Sequence, residues 1–157
     1  EGLIALDGNL TVELLSEIAN NPTLAKADLR VAPASPGKAE RLLPFLKAGR
    51  GTLYVNLEEA GILCQTTFQT SRDAAAALLD KGAARVLVTD GGSDASEGTG
   101  THIISQTPPQ VLVTRITGAG DTFMAAHISA EAGGADRVPA LNDALKSAAT
   151  YVSGEPV

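Results

Sequence analysis

One cysteine and no tryptophan occur in the 157 residues, and aromatic side chains make up 3% of the chain. The lone Cys64 excludes an internal disulfide and fits a reducing cytosol, so a cytoplasmic protein is expected. It lies in the apolar stretch Ala60-Gly61-Ile62-Leu63-Cys64, where a core thiol is a better reading than a nucleophile. Zinc chemistry lacks its ligands, because His102 and His127 are far apart and each reads as a packing residue. Basic residues are also scarce: 12 Lys and Arg stand against 18 acids, a net charge of −6. No basic run and few aromatics leave nucleic acid neither an attractive face nor a stacking platform. Apolar runs stay well short of a bilayer span and no signal peptide is apparent, so no membrane is expected.

What remains is 44% apolar and 19% charged, the profile of a globular chain of one-domain length. Strand-like and helix-like segments alternate, which predicts an α/β fold with a mostly parallel sheet flanked by helices. Residues 2–7 read as a strand ending at Asp7-Gly8-Asn9, and Thr11 caps a helix over 12–20. A strand over 29–32 precedes a helix from Ser35-Pro36 to about residue 48, stopped by Gly49. Residues 52–55 form a strand that runs into Asn56 and a short helix over 58–63. Ser71 caps a helix over 72–81, a strand follows over 85–89, and residues 90–100 read as a polar loop. Strands over 101–105 and 110–114 flank Thr107-Pro108-Pro109 as an antiparallel excursion. Helices over 119–132 and 138–152 close the chain. Asn9, Asn56, Gly91 and Gly118 each follow an expected strand, at the edge where such sheets bind ligands.

The segment Thr117-Gly118-Ala119-Gly120-Asp121-Thr122-Phe123 carries the most chemistry. It links the apolar run Val111-Leu112-Val113 to a helix of small apolar residues. Its glycines allow a ligand close to the backbone, and the first amides of the helix favour an anion there. Asp121 would repel that anion if it were a clamp, so its place suggests a base. The pattern suits phosphoryl transfer to a hydroxyl.

These residues resemble the second signature of the ribokinase-like (PfkB) carbohydrate kinases, and three further stretches resemble that family in the same order. Asn56-Leu57-Glu58-Glu59 is similar to its N-x-x-E motif, and Val86 to Gly91 to its V-x-V-T-x-G strand end. Ser35-Pro36-Gly37-Lys38-Ala39 resembles the S-x-x-K-A helix start common in pseudouridine-kinase-like members. The resemblance implies a ribokinase-like fold whose C-terminal nucleotide-binding portion spans residues 1–157, with the acceptor-binding half upstream. It implies ATP and Mg²⁺ as cofactors, a sugar or nucleoside as small-molecule partner, and room for a homodimer. By resemblance Asp121 is the general base and Gly118, Ala119 and Gly120 form the anion hole. Asn56, Thr89 and Gly91 lie by the nucleotide, and Glu59 organises Mg²⁺ through water.

Each site residue has a plainer reading. An acid is favoured in the first turn of any helix, Asn56 and Glu59 make a capping box by spacing, and Thr89 and Gly91 could end a strand. The chain also departs from the family pattern: Arg115 and Ile116 replace the usual Asp and Thr, and Asp94 replaces a glycine. Arg115 reads as a solvated side chain at a strand end. These departures keep open a non-catalytic nucleotide-binding module with the same fold. A Rossmann dehydrogenase is excluded, because the glycine turn comes late and lacks the third glycine.

Overall fold

The computed structural model describes residues 2–100 and 102–154. Six strands build one sheet in chain order: β1 (Leu3–Asp7), β2 (Asp28–Ala32), β3 (Thr52–Asn56), β4 (Arg85–Asp90), β5 (Ser93–Thr99) and β6 (His102–Gln106). β1 to β4 are parallel, while β4–β5 and β5–β6 are antiparallel. Parallel neighbours need crossovers, and these supply α1 (Val12–Asn20), α2 (Leu43–Ala48), α3 (Leu57–Cys64) and α4 (Ser71–Asp80). Their apolar sides bury Leu15, Phe45, Leu63 and Leu78 against Leu29, Val31, Leu53, Val86 and Val88. The opposite face packs Tyr54 and Leu87 against α5 (Ala119–Ala132) and α6 (Arg137–Val152).

Strand burial explains the sequence pattern. Residues 52–55 and 86–88 are buried in succession because helices cover both faces of the central strands. Caps follow local chemistry as well. Thr11 accepts from the Leu14 amide at 3.2 Å, and Gly49 ends α2 at φ +62°.

Four expectations need correction. Residues 93–99 are not loop but β5, turned back through Gly91 at φ +54°. Most polar side chains there find partners in place: Ser96 Oγ meets Ser71 Oγ at 2.8 Å and Ser105 Oγ at 2.7 Å, and Glu97 Oε1 pairs with Arg137, while Glu97 Oε2 is buried without a hydrogen bond. Residues 110–114 form no strand; Leu112 is 83% exposed and, among the described residues, has no neighbouring strand to pair with. The cap of α4 is Thr70, which accepts from the Asp73 amide, while Ser71 turns inward and donates to the Asp94 carbonyl at 2.6 Å. The helix after Ser35 opens as 3-10 turns over Pro36–Leu42, with no Ser35 side-chain cap, and becomes α-helical only at Leu43. Pro44 at the start of that helix has no N–H to continue the preceding turns. Thr101, at the expected start of the next strand, lies outside the described residues.

Candidate active site

The direction of α5 fixes where its first turn lies. Near its end Glu131 receives Arg30 Nη1 at 2.8 Å and Arg85 Nη2 at 2.6 Å; Arg30 is the middle residue of β2 and Arg85 the first of β4. One helical turn earlier, His127 Nδ1 meets the Tyr54 hydroxyl at 2.7 Å. Phe123 and His127, stacked on each other, both meet the Tyr54 ring edge-on, with centroids 6.4 and 5.5 Å away. The helix therefore runs antiparallel to β3, which puts Gly118 to Asp121 toward the C-terminal ends of β3 and β4, near Asn56 and Thr89. Those two residues are register partners on adjacent strands.

The turn itself is tightly specified. Gly118 caps α5 at φ +93°, a backbone region that L side chains rarely adopt. A Cβ there would stand 2.5 Å from the Tyr151 hydroxyl, which donates to the Thr117 carbonyl at 2.5 Å. α6 thus holds the turn from behind. Its last carbonyls, on Tyr151 and Val152, receive Arg115 Nε at 2.6 Å and the Thr114 amide at 2.6 Å. Arg115, exposed as expected, also lies over the Tyr151 ring, 4.0 Å from its centroid, so it supports the turn; residues 110–114 before it form no strand.

The front of the turn is open. Asp121 and Gly120 are exposed, and a Cβ on Gly120 would touch nothing within 4 Å. The Ala119 amide is occupied by the Ile116 carbonyl at 3.0 Å and that of Thr122 by Gly118 at 3.0 Å. Among the described residues the amides of Gly118, Gly120 and Asp121 make no such backbone bond. They are the donors available to an anion.

Asn56 and Glu59 form a reciprocal capping box at the start of α3, with Glu59 N to Asn56 Oδ1 at 2.8 Å and Asn56 N to Glu59 Oε1 at 2.9 Å. Burial pushes the Glu59 carboxyl up; the hydrogen bond from the Asn56 amide pulls against it, and the neighbouring Glu58 adds to the rise. One carboxylate oxygen is thus committed to the cap. Among the described residues no group of three His, Cys, Asp or Glu could hold a metal ion. Thr89 is half-buried at the end of β4, and Gly91 sits in the β4–β5 turn. Asp94 accepts from Thr107 Oγ1 at 2.6 Å and so ties that turn to the segment after β6. This segment and α6 border a cleft of about 420 Å³ lined by Thr107, Pro109, Val111, Asn142, Leu145 and Ala149.

His127 is fully buried, as its reading as a packing residue requires, and stacks on Phe123 at 6.3 Å. Burial lowers it to about 4. Cys64 is only partly buried at the end of α3, and burial raises its thiol. Sequence reasoning missed Tyr151, whose α6 looked like ordinary core. Its sole signal was a tyrosine at the last turn of an otherwise alanine- and leucine-faced helix.

Residues 3–155 match the pattern of the pfkB family carbohydrate kinases. Among solved structures the chain is similar to a carbohydrate kinase from Agrobacterium tumefaciens, with 28% identity and a TM-score of 0.78 over 94% of this chain and 46% of that one. It is similar in fold to phosphofructokinase-2 from Escherichia coli, at 19% identity and a TM-score of 0.79, covering 96% of this chain and 50% of the other. Ribokinase from Thermotoga maritima gives 20% and 0.76, covering 98% and 50%. No curated protein sequence matches the chain. The chain spans about half the length of these three solved proteins. It has their mostly parallel sheet with flanking helices, and no helix among the described residues is long and apolar enough to cross a membrane. The chain belongs to the pfkB family of carbohydrate kinases.

Proposed function

We propose that the protein transfers the γ-phosphoryl group of ATP to a hydroxyl of a sugar or nucleoside, with Asp121 as general base. The observation that carries this reading is an exposed carboxylate on the first turn of α5, beside amides with no backbone partner. In the reaction the acceptor oxygen bonds to γ-phosphorus, the bond to the ADP oxygen breaks, and the hydroxyl proton passes to Asp121. The anion hole is the Gly118-Ala119-Gly120 turn. The free amides of Gly118 and Gly120 face the charge that develops, and the small Ala119 keeps the approach clear.

Asn56, Thr89 and Gly91 lie on the same edge and are assigned to the nucleotide, with its base directed to the cleft beside α6. Mg²⁺, if bound, would supply positive charge to offset that of the phosphates. Glu59 fits it through a water molecule, because its other oxygen serves the cap and Mg²⁺ keeps several waters in such sites. A pseudouridine-like nucleoside is the first acceptor to try, on the likeness of Ser35 to Ala39. A cytoplasmic setting fits the lone cysteine, and a homodimer is the assembly to test.

Asp94 and Arg115, each committed to a structural contact, favour a second reading: a nucleotide-binding module without turnover. ADP release by the intact protein over a panel of sugars and nucleosides separates the two. Asp121→Asn is expected to lower kcat by about 10²–10⁴ while ATP still binds. An unchanged rate in that variant rules out Asp121 as the base.

A further inference from the structure

The rim above β1 and β2 is built as firmly as the α5 turn, yet the phosphotransfer reading makes no use of it. Asp7, ending β1, accepts from the Asn9 amide at 2.8 Å and from Asn9 Nδ2 at 3.3 Å. Those bonds fix the Asn9 side chain and leave its Oδ1 to receive Lys38 Nζ, which donates to it. Arg41 Nη1 straps the same loop down by donating to Gly8 O at 2.6 Å and Leu10 O at 3.2 Å. A Cβ on Gly8 would overlap the Pro33 carbonyl, so the loops after β1 and β2 meet backbone to backbone. The lysine is therefore held in place and does not sweep through solvent.

Its charge is not neutralised. Among the described residues Lys38 has one protein acceptor for its three ammonium donors, a neutral amide oxygen, and no carboxylate within ion-pair distance. The other cations near this edge are engaged elsewhere: Arg41 on loop carbonyls, Arg115 on Tyr151. On a chain of net charge −6, a fixed and unneutralised cation at the ligand edge is a local attractor for anions. Its position is directional. Strand spacing of about 4.8 Å puts the β1 end about 10 Å from that of β3, which α5 covers. The cleft beside α6 lies on the other side of the α5 turn, toward β6.

We propose that Lys38, oriented by Asp7 and Asn9, binds a phosphate oxygen on the β1 side of the anion hole. The ligand chemistry is a phosphate dianion, either the phosphoryl group in transfer or a phosphate already carried by the acceptor. This rests on the phosphotransfer reading for its direction, with the nucleotide entering from the α6 side. Asn9 acts as a positioning residue.

The test measures binding apart from turnover. The intact protein, Lys38→Met and Lys38→Arg are titrated with inorganic phosphate and pyrophosphate by calorimetry. ADP release is then followed with a neutral acceptor and with its monophosphate. Lys38→Met should weaken anion binding about 10- to 100-fold, the range of one charged hydrogen bond, and Lys38→Arg should recover most of it. A rise in KM confined to the phosphorylated acceptor places the anion on the acceptor. An equal fall in kcat with both acceptors places it on the group in transfer. Anion binding by Lys38→Met within twofold of wild type overturns the proposal, as does a wild type that binds neither anion. Weakened anion binding in a protein that releases no ADP with any acceptor would retain the Lys38 site and remove the kinase reading instead.

Discussion

Replacing Gly118 by alanine tests whether the turn before α5 is held as tightly as its geometry demands. At φ +93° an L residue costs about 1–2 kcal/mol more than glycine. The new methyl would also stand 2.5 Å from Tyr151 Oη and 3.1 Å from Cζ, so the ring must move. Moving it breaks the hydrogen bond to Thr117 O, worth about 1 kcal/mol net, and disturbs the Arg115 contact over the ring, worth about 0.5–1 kcal/mol at an exposed site. The sum is a loss of about 2.5–4 kcal/mol, read as a lower urea midpoint at unchanged slope. Displacing one amide of the proposed anion hole should further lower kcat by about 10²–10³. Tyr151→Phe removes the nearest clashing atom, and in that background the stability cost of Gly118→Ala should fall by about 1 kcal/mol. A cost below about 0.5 kcal/mol for Gly118→Ala, with normal turnover, would refute the reasoning.

Gly120→Ala is the matched control: with open space around its Cβ and a helical position, it should leave stability within about 0.5 kcal/mol, and a turnover loss there would locate the approaching phosphate. Acid should destabilise the fold in two stages. His127 lies at about 4 in the folded chain against 6.5 when free, so the unfolded state binds the extra proton and stability falls as pH drops from 6.5 to 4, by about 3 kcal/mol. Burial alone would raise Glu131, but hydrogen bonds from Arg85 and Arg30 hold it at about 2, so a second loss follows between pH 4.5 and 2. Urea midpoints from pH 7 to 3.5 should show the first stage flattened in His127→Gln, and an unaltered slope would discount it. Glu59→Gln keeps an acceptor for the Asn56 amide while removing a buried charge, so stability at pH 7 should hold or rise slightly. Its Mg²⁺ requirement for turnover should shift several-fold, whereas a residue that only caps α3 would leave the titration curve unmoved.

The parallel half of the sheet was readable because its signals are local. Apolar runs at 52–55 and 86–88, Gly49 and the Asn56 cap each act within a few residues of themselves. The turn at Gly118 and the helix start at Ala119 were readable for the same reason. β5 was not, because Ser93 to Thr99 is polar and its strand is made by partners distant in sequence. Ser96 is matched by Ser71 and Ser105, and Glu97 by Arg85 and Arg137. Residues 110–114 erred in the other direction, since β-propensity without a neighbour to pair with makes no strand. Tyr151 and Lys38 were hidden more deeply. Tyr151 matters through Thr117, 34 residues away, and Lys38 through Asn9, 29 away, and neither spacing leaves a mark on one sequence.

The two ends of α5 explain how one helix can be both rigid and available. Fourteen residues span about 21 Å, enough to run from the start of the parallel strands to their ends. A carboxylate near the last turn is unfavourable by helix dipole alone. Glu131 is nonetheless retained there, because Arg30 and Arg85 reach it from β2 and β4 and outweigh that repulsion. With Tyr54 and His127 packed one turn above, the helix is anchored to three strands at the end remote from the proposed anion hole. Its first turn then needs no partner from the sheet. Gly118 and Tyr151 set its angle from behind, and Asp121 can stay exposed without loosening the helix. An acid exposed at a helix start is ordinary; one carried by a helix so heavily fixed at its other end has little freedom to shift with the helix, which is the condition the proposed general base must meet.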